Sequence, residues 1–131
     1  MLHEIFKGMD NAAEQINENF QNGSIVDEGV NENGRYVKYA SGIMVCTVKG
    51  FPQVASTNYG SMYRTGSTDT WTFPHEFLEV LFHDGAAENT SRWTSTSLVD
   101  NSSLIFRQYS PIDGGTIEVE NRLIAIGRWK E

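Results

Sequence analysis

The sequence holds one cysteine, three prolines and ten lysines and arginines in 131 residues. Cys46 has no second thiol with which to build an internal disulfide, a C-x-x-C redox pair or a zinc knuckle, so packing or assembly must supply stability. No apolar run approaches the ~18 residues that cross a bilayer. Residues 1–10 also lack the basic-then-apolar order of a signal peptide, so neither a membrane span nor classical secretion is expected. The few bases face 17 acids, which gives a formal net charge of −7 and a pI near 4.9. Binding a phosphate backbone relies on counterion release by Lys and Arg, so nucleic acid is not an expected partner. What the chain does have is 39% hydrophobic and 11% aromatic residues, enough for one core. Ser, Thr and Asn supply 31 residues, most of them beyond residue 40, for a surface that hydrogen-bonds more than it attracts by charge.

The charge is unevenly placed. Residues 1–32 carry seven acids (Glu4, Asp10, Glu14, Glu18, Asp27, Glu28, Glu32) against Lys7, so they hold −6 and the remainder −1. This step coincides with the turn-rich Asn31, Glu32, Asn33, Gly34, and it divides the chain into an acidic N-terminal helix or stalk, 1–32, and a body, 33–131. Asp10 can cap a helix that Asn22 and Gly23 end. Leu2, Ile5, Met9, Ala12 and Ile16 are spaced 3, 4, 3, 4, the seam of a coiled coil. About three isolated turns are marginal in water, so this helix needs partner chains or the body. Both readings, self-association and docking on the body, fit the spacing.

From residue 35 the period changes from helical to alternating. Residues 35–39 and 43–49 form a hairpin through Gly42, and further strands are expected at 70–73, 77–83, 92–99, 103–109, 117–120 and 122–130. Short strands between Gly, Asn, Asp and Pro turns predict a mainly β fold, an antiparallel sandwich with one short N-terminal α-helix. The longest unpatterned stretch, 55–69, is the expected binding loop.

The segment NGRYVKYASGIMVC (33–46) resembles an element of phage tail-fibre and baseplate receptor-binding proteins that reads N-G-x-Y-x-[RK]-[FY]-x-[DS]-G-x-x-x-C. WTFP (71–74) before a strand of the FLEVLF type, the ending IAIGRW (124–129) and the N-terminal KGMDNAAEQINENF (7–20) resemble further parts of such proteins in the same order. Ser41 replaces the usual turn Asp, while Gly42 keeps the permissive backbone position. The resemblance implies a homotrimeric β-sandwich similar to the H-type lectin family. It also implies a place at the virion tail tip or baseplate among other tail proteins, synthesis in the bacterial host cytoplasm, and a host cell-wall saccharide as ligand. Three weak sites on one rigid head would gain avidity through effective concentration. A structural or accessory phage protein of the same fold, binding no sugar, is the alternative.

The candidate ligand residues are Tyr59, Tyr63, Arg64 and Asp69 in the long loop, and Arg92 with Trp93 at a strand start, because aromatic rings beside an acid and a base suit sugars. The candidate oligomerisation residues are the five of the seam. Trp71 and Phe73 read as core, Arg128 and Trp129 as packing within the chain or between subunits, and Cys46 as a small buried hydrophobe. His75 and His83 match no metal-ligand spacing, and no metal or other cofactor is expected. The glycine-flanked GSMYRTGS (60–67) has the wrong spacing and no Lys for a phosphate loop, and no G-x-S-x-G elbow exists. No enzyme activity is expected, with Glu76, Glu79, Asp84 and Glu88 leaving glycoside hydrolysis as a minor reading because carboxylate separation is spatial.

Overall fold

The computed structural model describes residues 23–131, which fold into ten antiparallel strands in two sheets. The expected N-terminal helix and the seam residues Leu2, Ile5, Met9, Ala12 and Ile16 lie outside the described residues. One sheet, A, has the order β1 (Ile25–Asn31), β2 (Gly34–Tyr39), β3 (Ile43–Gln53), β10 (Val119–Arg128), β7 (Glu79–Ala87). The other, B, is organised on β9 (Ser103–Ser110), which pairs with β8 (Trp93–Asp100), β6 (Asp69–Thr72) and β5 (Met62–Arg64), and β5 pairs with β4 (Thr57–Tyr59). Tyr109 pairs with Arg64 and with Trp93, and Phe106 pairs with Asp69 and with Thr96. A strand has two edges, so β5 and β6 follow one another along one edge of β9 and β8 occupies the other.

The expected β class and most strands are present, with three differences. β1 lies before the charge step at residue 32 and is an edge strand of sheet A, tied in through Asn31, whose Nδ2 donates to the Pro74 carbonyl at 2.9 Å. Its acids serve that edge: Glu28 pairs with Arg35 at 3.1 Å and Asp27 with Lys38 at 3.5 Å, and charge on an edge discourages pairing with other chains. The stretch 55–69 is not one long loop, because Thr57–Tyr59 and Met62–Arg64 form a small hairpin with Gly60 at φ 62° in its turn. The segments 117–120 and 122–130 are one strand, β10.

Alternation places the core between the sheets. β9 turns Leu104 and Phe106 inward, and β10 turns Leu123 and Ala125 inward to meet Met44 and Cys46 of β3. Trp71, Phe73 and Phe77 follow edge to face, with ring centroids 5.0 and 5.2 Å apart. The Trp71 indole N–H donates to the Asn33 carbonyl at 2.7 Å, which meets the need of a fully buried indole. Gly127 leaves no room for a side chain, since a Cβ there would stand 2.2 Å from the Glu79 carbonyl oxygen.

Toward the other end the interior is polar. Between Gly50 and Gln53 β3 carries one residue more than β10, and Phe51 in this bulge adopts φ 51°. The freed Phe51 carbonyl accepts from Asn121 Nδ2 at 2.8 Å, and that amide also reaches Gln53 Oε1 at 3.2 Å. Asn121 Oδ1 accepts from the Thr94 hydroxyl at 2.6 Å. Gln108 donates to the Val119 carbonyl at 2.7 Å, and Arg92 donates to Gln108 Oε1 and to the Gln53 carbonyl. Sheet A supplies Gln53 and Asn121, sheet B supplies Thr94 and Gln108, so these bonds join the two sheets.

Removing one member leaves the others buried without partners, which costs more than the bond itself. Asn121→Ala is expected to destabilise the chain by about 3 kcal/mol in urea unfolding, and a loss below about 1 kcal/mol would show that the amides do not hold the sheets together. Burial pushes the Cys46 thiol from 9.0 up to about 12, a rise opposed in part by the backbone at His75. The folded state thus holds this proton more tightly than the unfolded chain, so the contribution is fully present below pH 9.0 and is lost as pH rises toward about 12. Stability measured across that window should fall less steeply in Cys46→Ala than in the parent chain, and equal slopes would refute the assignment.

Candidate functional site

The buried amides determine what the opposite face of sheet B presents. Along β9, Gln108 points inward, so Arg107 and Tyr109 point outward. At the start of β8, Arg92 is held inside by Gln53 and Gln108, so Trp93 is turned out. A turn at residues 113–115 closes over that guanidinium, and Gly114 is required there, because a Cβ would lie 2.5 Å from Arg92 Nη2.

Register then gathers these side chains. Trp93 pairs with Tyr109, and their rings stack at 5.8 Å with an interplanar angle of 12°. Tyr109 pairs on its other side with Arg64, and Tyr59 of β4 meets the Tyr109 ring edge-on at 5.9 Å. The Arg64 guanidinium stands 4.1 Å above the Tyr59 ring, a cation–π contact. The outcome is an aromatic row across β4, β9 and β8 in which Tyr59 stays 46% and Trp93 44% exposed. Beside it lies a depression of about 220 Å³, lined by Thr68, Ser95, Ser97, Ile105, Arg107 and Tyr109.

Of the six residues expected to bind ligand, the structure brings Tyr59, Arg64 and Trp93 together. It places Asp69, Arg92 and Tyr63 elsewhere. Asp69 is exposed and accepts from Gln53 Nε2 at 2.7 Å, while Arg92 is buried among the amides. Tyr63 pairs with the inward-facing Ser110, on the opposite side of the strand from Arg64. Tyr109 and Arg107 complete the row and the depression, and the sequence reading did not single them out. They lie on the outer side of a strand in which Leu104, Phe106, Gln108 and Ser110 are buried in alternation.

Sheet A has a larger concavity of about 760 Å³, lined by Arg35, Thr47, Lys49, Asp84, Arg122 and Ile124 among others. Its bases are already engaged: Arg35 with Glu28, Lys49 with Glu120 at 3.8 Å, and Arg122 with Glu88. Glu79 pairs with Arg128 at 2.6 Å, so two of the four carboxylates weighed for hydrolysis are held in ion pairs. His83 bonds the Thr96 hydroxyl at 2.7 Å, and His75 lies against Tyr36 with centroids 5.2 Å apart. Among the described residues no three His, Cys, Asp or Glu side chains gather to hold a metal. Trp129 packs within its own chain, donating to the Tyr39 carbonyl at 2.9 Å with Lys38 and Lys130 over its ring.

No protein-family model and no curated protein matches the chain. Solved structures do. A C-terminal part of the P. aeruginosa R1 pyocin fibre aligns at 16% identity and TM-score 0.56, over 80% of this chain and 29% of that one. An N-truncated R1-type pyocin tail fibre aligns at 16% identity and TM-score 0.57, over 88% of this chain and 95% of that one. An N-truncated R2-type pyocin tail fibre aligns at 14% identity and TM-score 0.52, over 81% and 39%. The chain thus spans well under half of two of these structures and nearly all of the third, and its fold is that of a tail-fibre domain.

Proposed function

We propose that the chain is a binding module of a phage-type tail tip or baseplate, made in the cytoplasm of the bacterial host, which assembles as a homotrimer and recognises a host-surface saccharide. The observation that carries this reading is the exposed aromatic row of Tyr59, Tyr109 and Trp93 beside a hydroxyl-lined depression, on a fold shared with pyocin tail fibres. Sugar rings present C–H faces that suit aromatic rings and hydroxyls that suit Ser and Thr, so a row of rings next to Thr68, Ser95 and Ser97 matches both halves of that chemistry. The site lies on strands, so its side chains are held before a ligand arrives and little ordering opposes binding. We read the module as a binder and not an enzyme. The lectin-like character and the trimer rest on the sequence resemblance and on the spacing of Leu2, Ile5, Met9, Ala12 and Ile16.

A second reading, a structural or accessory tail protein that binds no sugar, is favoured by sheet A. Val37, Val45, Ile126 and Phe82 pair in turn across β2, β3, β10 and β7, an apolar row on the outer face in which Phe82 is half exposed. Such a row suits contact with protein more than with sugar.

Light scattering on the full chain should give three chains per particle; a monomer at every concentration would remove the trimer and its avidity. A glycan array built from host wall polymers should show saturable binding that Trp93→Ala or Tyr109→Ala weakens at least about tenfold, the equivalent of about 1.4 kcal/mol. No binding to any of them would leave the accessory reading in its place.

A further inference from the structure

The five ion pairs among the described residues engage Arg35, Lys38, Lys49, Arg122 and Arg128, and every one of these bases belongs to sheet A. Sheet B is different. Its five strands contain two bases, Arg64 and Arg107, and two acids, Asp69 and Asp100. Both acids accept hydrogen bonds: Asp69 from Gln53 at the border of the interior, and Asp100 from the Ser102 N–H and the Ser103 hydroxyl in the β8–β9 turn. Arg64 lies against the Tyr59 ring. Arg107 remains. It lines the depression beside Tyr109, and its Nε is buried with no hydrogen-bond partner among the described residues.

A guanidinium loses solvation when its Nε is covered, and an unmet buried donor costs on the order of 1–3 kcal/mol. Such a group is ordinarily turned toward a carboxylate or a carbonyl. Here none of the ion pairs among the described residues includes it, in a chain whose net charge is −7. Its neighbours along the depression are Thr68, Ser95 and Ser97, hydroxyls that donate to an oxyanion without repelling it. A planar fork of N–H donors beside hydroxyls is the arrangement that recognises a carboxylate or a phosphate.

We propose that the depression on sheet B binds an anionic substituent of the ligand, a carboxylate or phosphate held by Arg107 and the Ser95 and Ser97 hydroxyls, while the adjoining sugar ring lies on the Trp93–Tyr109 row. This rests on the saccharide reading given above and narrows it to acidic polymers. It also explains how an acidic protein approaches an acidic surface: attraction is local, at an arginine that no acid pairs, and works over a Debye length.

Three probes test this by titration calorimetry with the full chain: a hexasaccharide alternating glucuronate and N-acetylglucosamine, the same hexasaccharide with its carboxyls reduced to alcohols, and a glycerol phosphate oligomer. One or both charged probes should bind at least about tenfold more tightly than the neutral one. Arg107→Gln should abolish that preference, while Arg35→Gln on sheet A should not. Which charged probe binds identifies the source of the anion. Arg107 makes no bond through Nε, so the glutamine variant removes an unmet buried donor and no hydrogen bond of that atom, and should unfold at or above the parent's urea midpoint. Equal binding of the charged and neutral hexasaccharides, sensitive to Trp93→Ala but not to Arg107→Gln, overturns the inference and keeps the saccharide reading. Failure of both charged probes to bind at millimolar concentration overturns the inference, and the glycan array then decides the saccharide reading on its own.

Discussion

Four side chains that can neither leave the interior nor remain there unpaired govern this structure: Gln53, Thr94, Gln108 and Asn121, all buried. A hydrophobic interface between sheets tolerates sliding by a fraction of a residue, because dispersion and burial are not directional. Hydrogen bonds do not. Asn121 must meet the Phe51 carbonyl, Gln53 and Thr94 together, and that can happen at one mutual position of the sheets. The bulge at Phe51 is part of the same solution, since the extra residue of β3 frees the carbonyl that Asn121 uses. The aromatic end of the core contributes the bulk of the apolar burial, and the amide end fixes the alignment.

From that alignment the two outer faces inherit different chemistry. Sheet A neutralises its charges internally and shows an apolar row between ion pairs. Sheet B shows rings, hydroxyls and an arginine with no acid opposite it. The two faces thus differ in kind: apolar side chains between ion pairs on one, rings and hydroxyls on the other. The likeness to pyocin fibres establishes the fold, and the side chains on these faces carry the argument about what it does.

Much of the fold was legible because a half-buried strand writes its period into the chain. Residues 35–39 alternate polar and apolar, residues 43–49 are a mostly apolar run, and both are strands. β1 was hidden because an edge strand exposed on both faces has no period to show, and its acids looked like an extension of the N-terminal charge. β4 and β5 were hidden because three residues are too few for any period. Within the site, Tyr59, Arg64 and Trp93 were found by residue type. Asp69 and Arg92 were singled out for the same reason, and the bonds they make with Gln53 and Gln108 depend on contacts distant in sequence. Tyr109 was legible as an outward residue, but its place between Trp93 and Arg64 depends on pairings across 16 and 45 positions of sequence, which no local pattern encodes.

The inward anchoring of Arg92 and Gln108 has an evolutionary corollary. Each platform residue on β8 and β9 is the immediate neighbour of a network residue, so the backbone beneath the platform is held by groups that never touch a ligand. Recognition and foldability are thereby written on alternate letters of the same two strands. Positions 93, 95, 107 and 109 can be substituted while 92, 94 and 108 stand still, giving the molecule a changeable surface on a constant chassis.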